Sequence, residues 1–376
     1  MYYKSDWEQA KCRLAAFWHN EIIDRCCIGV IAPRKNSKTR PFPELQNGPW
    51  LGGLERYRDD DYESIRRWWT DPEENYKRMI LWMENTYFGG EAAPITYINW
   101  GAMAEASFFG SDPIFSKTTV WYPEVITNWD TWQWKSDVHD SIYWRQTIDI
   151  TKYLIEQNNG RYFVGTAELG HAADVLSLMR GAANFCLDLV DNPIKVKEAI
   201  DILSDTRIVL HKELYNLIID NNDNGGVIAW MNLWAPGRLD QAFCDFSSII
   251  SPEMFKKIFV PEIEKYLSDL DFNSYHLDGP DAMRNHLATL LEIKQIKNIQ
   301  WTPGVGLPPT YSPQYMPYYK RIQDKVKSLY LLAKINEVEP ILAELSPKLL
   351  FINTYADSED EAKSLLKKVE KWSNRA

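Results

Sequence analysis

The chain has 376 residues, a formal net charge of −10, 45% hydrophobic and 25% charged residues, a balance that excludes disorder, collagen-like repeats and low-complexity tails. Lys and Arg are scattered and outnumbered by acids, so the concentrated basic surface that phosphate neutralisation needs is missing and no nucleic acid is expected as a partner. Sixteen Trp and twenty Tyr are the unusual feature, since such rings serve either as bulky core or as walls for flat ligands.

The N-terminal residues carry acids and aromatics rather than a basic, apolar leader, and apolar runs such as 328–333 fall far short of the roughly 20 residues of a membrane helix, so no membrane is expected. Five cysteines (Cys12, Cys26, Cys27, Cys186, Cys244) form an odd set without C-x-x-C spacing, which reads as reduced thiols and a cytoplasmic location.

In chain order, a helical segment (1–26) precedes eight short apolar runs that read as parallel strands: 27–32, 93–99, 162–166, 226–231, 272–277, 298–302, 328–333 and 349–353. Segments of helical period lie between them, at 72–85, 141–156, 172–189, 193–219, 251–270, 280–291, 315–327 and 338–345. Asp71-Pro72-Glu73-Glu74 and Ser251-Pro252-Glu253 carry helix-start chemistry, and Gly181 interrupts a helical pattern. The most economical closure is an α/β fold of the (β/α)8, or TIM barrel, type in one domain: 1–26 as the N-terminal helical segment, 27–353 as barrel, 354–376 as a C-terminal helix. Long insertions at 36–91 and 108–144 would roof the barrel mouth. A doubly wound sheet would instead place a glycine-rich phosphate turn after its first strand, where Ala32-Pro33-Arg34-Lys35 stands.

Working residues of such barrels sit at strand C-termini and just beyond. That rule selects Asn99, Glu168, His171, Trp230, Asn232, Trp234, His276, Asp278, Trp301, Asn353 and Tyr355, and the segment 230–238 adds the cation of Arg238. The most informative segment is Tyr275-His276-Leu277-Asp278-Gly279-Pro280. Alternation puts His276 and Asp278 on one side of a strand, where they suit metal ligation or proton transfer. The structural alternative is a packed imidazole and a helix-capping carboxylate. Glu168 is the third candidate acid, base or ligand, and Glu337 a further acid after a different strand; their separation decides whether paired-acid chemistry applies. No G-x-S-x-G, Walker, H-E-x-x-H or C-x-x-C pattern occurs.

Several segments together resemble the uroporphyrinogen decarboxylase superfamily, a (β/α)8 group that includes zinc-using, corrinoid-dependent methyltransferases. They are Asn85-Thr86-Tyr87-Phe88-Gly89-Gly90-Glu91, Leu178-Met179-Arg180-Gly181, Cys244-Asp245-Phe246-Ser247, Ser251-Pro252-Glu253-Met254-Phe255, the His276 segment, and Ile299-Gln300-Trp301-Thr302-Pro303-Gly304. The Arg-rich N-terminal signature that grips porphyrinogen carboxylates is absent. In the methyltransferase branch a His-x-Cys and a later Cys hold zinc. Here His276 matches the His, Asp278 stands in place of the Cys, and no Cys follows Cys244.

The resemblance therefore implies methyl transfer between a small methylated substrate and a cobalamin carried by a separate corrinoid protein. Together with the strand-end selection it makes His276, Asp278 and Glu168 the catalytic and zinc-binding candidates, with Asn99, Trp230, Asn232, Trp234, Arg238, Trp301 and Tyr355 around the substrate. A homodimer is left open. Two alternatives stand beside it: a metal-independent decarboxylase of a cyclic or aromatic acid, its carboxylate held by Arg238 and Asn232, and a non-catalytic binder of a tetrapyrrole or flat metabolite.

Overall fold

Five of the eight apolar runs become strands of one sheet. In the computed structural model, which describes residues 1–35 and 57–374, seven strands share one sheet. They are β1 (Cys27–Pro33), β2 (Thr86–Gly90), β3 (Leu239–Phe243), β4 (Phe272–Asp278), β5 (Asn298–Thr302), β6 (Ser328–Leu332) and β7 (Leu350–Tyr355), in the order β2-β1-β7-β6-β5-β4-β3. Every neighbouring pair is parallel except β1 with β2. The first part of the expected 36–91 insertion, 36–56, lies outside the described residues.

Three expected strands behave differently. The runs 93–99 and 162–166 meet through one parallel bridge, Ile95 with Phe163, flanked by Thr96 N–H to Phe163 O at 2.9 Å and Phe163 N–H to Pro94 O at 2.8 Å. Pro94 has no N–H to extend the ladder, and the backbones crowd so closely that a Cβ on Gly165 would lie 2.1 Å from Thr96 O. The run 226–231 yields only Gly226–Ile228, antiparallel to Leu233–Ala235, and the strand beside β4 is instead β3. The fold is thus mixed α/β around a mostly parallel seven-stranded sheet, and its hydrogen-bond ladder does not run unbroken around an eight-stranded ring.

Strand parity sorts the sheet into two faces. Register pairs His276 with Gln300 and Phe243, and Gln300 with Tyr330, so these side chains share the concave face with Gln241 and Asn353. Ile299, Trp301, Leu329, Leu331 and Ile352 point the other way, into the apolar layer beneath the helices.

The helices follow their start signals. Asp71 accepts from Glu74 N–H ahead of Pro72–Glu84, and Ser358 accepts from Glu361 N–H ahead of the final helix, Glu359–Ser373. Gly181, at φ +83°, splits the expected 172–189 helix into Ala172–Arg180 and Ala182–Asp191, a conformation that favours glycine. The expected 251–270 helix carries a π-helical turn at Phe255–Phe259.

At the N-terminal ends of the strands the chain plugs its own sheet. The helix Trp7–Trp18 packs on the Gly226–Ala235 hairpin, where Trp18 Nε1 donates to Trp234 O at 2.9 Å and Trp7 meets Phe163 edge-on at 4.7 Å. Arg25 and Glu91 form a buried bidentate pair at 2.7 and 2.8 Å, and Glu91 also accepts from Ile28 N–H at 2.7 Å, joining β1 to the segment after β2. Among the described residues no helix is long and apolar enough to cross a membrane.

Candidate functional site

The far end of the sheet is where polar chemistry collects. Asp278 ends β4, Gly279 (φ +78°) turns the chain into the helix Pro280–Glu292, and Asp245 follows β3 by two residues. Ligand atoms of Asp245, His276 and Asp278 all lie within 4.8 Å of one another.

Hydrogen bonding sets the imidazole's tautomer. Gln300 Nε2 donates to Trp301 O at 3.1 Å and to Thr302 Oγ1 at 2.9 Å, which turns Gln300 Oε1 toward His276 Nδ1. Oε1 can only accept, so Nδ1 carries the proton and Nε2 keeps the lone pair that a cation requires. Asp278 Oδ1 is buried with no hydrogen-bond partner among the described residues, a costly condition that a bound cation would relieve. An O, N, O donor set with two carboxylates fits a divalent ion such as zinc, and it is harder than a thiolate set.

Asp245 is held from behind. Asp174, on the helix Ala172–Arg180, accepts from the N–H groups of Asp245 at 3.2 Å and Phe246 at 2.8 Å. Burial and the nearby Asp245 raise the Asp174 carboxyl; burial, with Asp278, raises Asp245, against His276 and His171.

Glu168 stands beside this cluster rather than in it. Gln241 Nε2 donates to Glu168 Oε1, and Trp230 Nε1 donates to Gln241 Oε1 at 3.0 Å. Burial first, then the Asp240 and Asp245 carboxylates, push the Glu168 carboxyl up to about 8 despite Arg207 and Gln241. A carboxyl protonated near neutrality can serve as a proton donor, and this one senses the Asp245 charge.

The other expected site residues divide. Trp230 reaches the concave face, its ring edge-on to His276 at 5.2 Å. Tyr355 ends β7 and lines a mouth cavity of about 630 Å³ with Pro303, Leu307, Lys334 and Glu337. Glu337 itself accepts from Lys334 and Tyr311 N–H groups at 2.7 and 3.1 Å, a local capping duty. Asn353 Nδ2 donates to Tyr330 Oη at 3.0 Å while its Oδ1 stays buried and unpartnered. Asn99 accepts from Gly101 N–H at 3.0 Å, closing a local turn.

Four residues are corrected away from the mouth. Trp301 has the wrong parity on β5 and packs on Tyr315 at 5.3 Å in the outer layer. Asn232, at φ +51° in the hairpin turn, clamps the Ala93 backbone at 2.8 and 2.7 Å. Trp234 lies in the plug with its indole N–H on Asn222 O at 2.9 Å. Arg238 precedes β3, so it sits at the opposite end of the sheet, 2.5 Å from Asp269. His171 is fully buried with Nδ1 3.0 Å from Glu262 Oε2.

The sequence selection missed Asp245, Gln241 and Gln300. Asp245 would have been found had β3 been recognised, because it lies just past that strand's C-terminus.

No family model and no curated protein matches the sequence. By structure, the chain is similar to a methyltransferase from Methanosarcina mazei, with a TM-score of 0.60 over 96% of this chain and 98% of that one, at 11% identity. That likeness places this chain in the same α/β fold.

Proposed function

We propose that this protein is a methyltransferase of the corrinoid-dependent type, within the uroporphyrinogen decarboxylase superfamily, using zinc held by Asp245, His276 and Asp278. The observation that carries the reading is the convergence of those three donors within 4.8 Å on the concave face. The fold shared with a methyltransferase and the resemblance of the His276 segment support it.

A divalent ion there would supply Lewis-acid polarisation of the heteroatom that bears the methyl group. The chain's own residues do the rest. Gln300 holds the His276 tautomer, Asp174 positions the Asp245 backbone, and Glu168 would give its proton to the departing heteroatom of the substrate, with a reduced corrinoid on a carrier protein supplying the methyl acceptor. An O,O,N ligand set in place of thiolates favours an oxygen- or nitrogen-bound methyl donor, whose leaving group needs that proton. Trp230 and Tyr355 would wall the substrate.

The test is elemental analysis of protein purified without chelators, alongside His276→Ala and Asp245→Asn, followed by methyl transfer from a panel of methoxylated and N-methylated donors to reduced cobalamin. Near-stoichiometric zinc lost in both variants, with donor-dependent methylcobalamin formation, is expected. Metal-free wild-type protein would overturn the zinc assignment, and carbon dioxide release from cyclic acids without methyl transfer would overturn the reaction.

A further inference from the structure

A second enclosed space lies away from the Asp245–His276–Asp278 cluster, between the helix Pro193–Ile218 and the segment that carries the π-helical turn Phe255–Phe259. It has a volume of about 430 Å³, within the usual range for small-molecule sites. Leu189, Val196, Ile200 and Ile258 give it apolar walls, Ser204 and Glu262 border it, and Lys197, Asp201, Lys257 and Lys265 also line it. Ser204 is 1% exposed and Glu262 6% exposed.

Those two polar groups are unsatisfied. Ser204 Oγ and both Glu262 oxygens are buried without a directed hydrogen bond from the described residues, although Glu262 Oε2 sits 3.0 Å from His171. Burial lowers the His171 pKa, which keeps that ring neutral, so it places no cation against Glu262. A buried acceptor left in this state costs stability unless something donates to it. A π-helical turn beside it is the kind of irregularity that recurs at functional sites.

The geometry points to a binding site for a small primary amine with an apolar body, its ammonium group donating to Glu262 and Ser204 and its hydrocarbon lying against Val196, Ile200 and Ile258. The site is separate from the proposed metal cluster and does not depend on the methyl-transfer reading. A carboxylate head would meet the acceptor oxygens of Glu262, and two of the three lysines at the border are already paired, Lys197 with Asp201 and Lys265 with Asp205.

Calorimetric titration of the full-length protein with n-hexylamine, hexanoate and hexan-1-ol tests this. Saturable binding of hexylamine is expected, with hexanoate and hexanol at least roughly tenfold weaker. Glu262→Gln should weaken the amine about tenfold, and Ser204→Ala, which leaves the His171 contact alone, should weaken it severalfold with folding intact by circular dichroism. Absence of saturable amine binding, equal binding of the alcohol or the acid, or wild-type affinity in both variants would overturn the proposal.

Discussion

Trp230 and His276 meet edge to face, their ring centroids 5.2 Å apart and their planes at 82°. The same indole donates to Gln241, which donates to Glu168, so one ring from the plugging hairpin connects the acid at 168 with the histidine near the end of β4. Trp230→Phe keeps the edge contact and deletes the donor, freeing the Gln241 amide to turn away from Glu168. Turnover is expected to fall about tenfold, roughly 1.4 kcal/mol, with bound metal unchanged, because Asp245, His276 and Asp278 are untouched. Single-turnover rates and metal content measured on one preparation check this, and loss of metal would move Trp230 into the metal cradle.

The ion pair of Arg25 and Glu91 is buried, and Glu91 also holds the Ile28 amide. Glu91→Ala leaves a guanidinium desolvated and an amide unpaired, and is expected to cost about 3–5 kcal/mol in chemical denaturation. Replacing both partners with apolar residues of similar volume, Arg25→Met with Glu91→Leu, should recover much of that loss. A double variant no more stable than Glu91→Ala would show that the Ile28 contact, not the stranded charge, dominates.

Five sheet strands are readable from the sequence as short runs rich in apolar and aromatic residues, whereas Thr86–Gly90 and Leu239–Phe243 are not. Leu239–Phe243 escaped because Asp240 and Gln241 interrupt its pattern, and both are there for tertiary reasons: Asp240 pairs with the buried Arg207 at 2.9 Å, and Gln241 serves Glu168 inside. That miss hid Asp245, whose place depends on where β3 ends. The His276 and Asp278 pairing followed from alternation alone, whereas Trp301 was placed on the wrong face because its parity on β5 is visible only once Gln300 is known to face His276. Asn232 turns back onto the Ala93 backbone and Arg238 precedes β3, placements hidden because an antiparallel return cannot be told from a parallel strand by a short apolar run.

Metal removal gives a stability signature that needs no substrate. A cation bound only by the folded chain stabilises it by mass action, about 2.7 kcal/mol when present at 100 times its dissociation constant. Wild-type protein dialysed against chelator and then supplied with zinc should therefore unfold several degrees higher than the chelated sample. Asp278→Asn, which removes the charge of the carboxylate whose Oδ1 lacks a partner, should show much less of a shift. Equal shifts in both proteins would place the metal elsewhere.

The raised Glu168 carboxyl makes a pH prediction whose sign is fixed by linkage. Its pKa lies near 8 in the folded protein against 4.5 for an unperturbed side chain, so between those values the folded state binds the extra proton. Stability from this group is present below about 4.5 and is lost as pH rises toward about 8. Glu168→Gln cannot ionise, so the difference in unfolding free energy, variant minus wild type, should grow with pH across that window and level off above it. The same substitution removes the proton donor, so methyl transfer should fall most at the lower end of the window, where wild-type Glu168 is protonated, and the gap should narrow above about pH 8. A flat stability difference would mean that Gln241 holds Glu168 as a carboxylate and that another group supplies the proton.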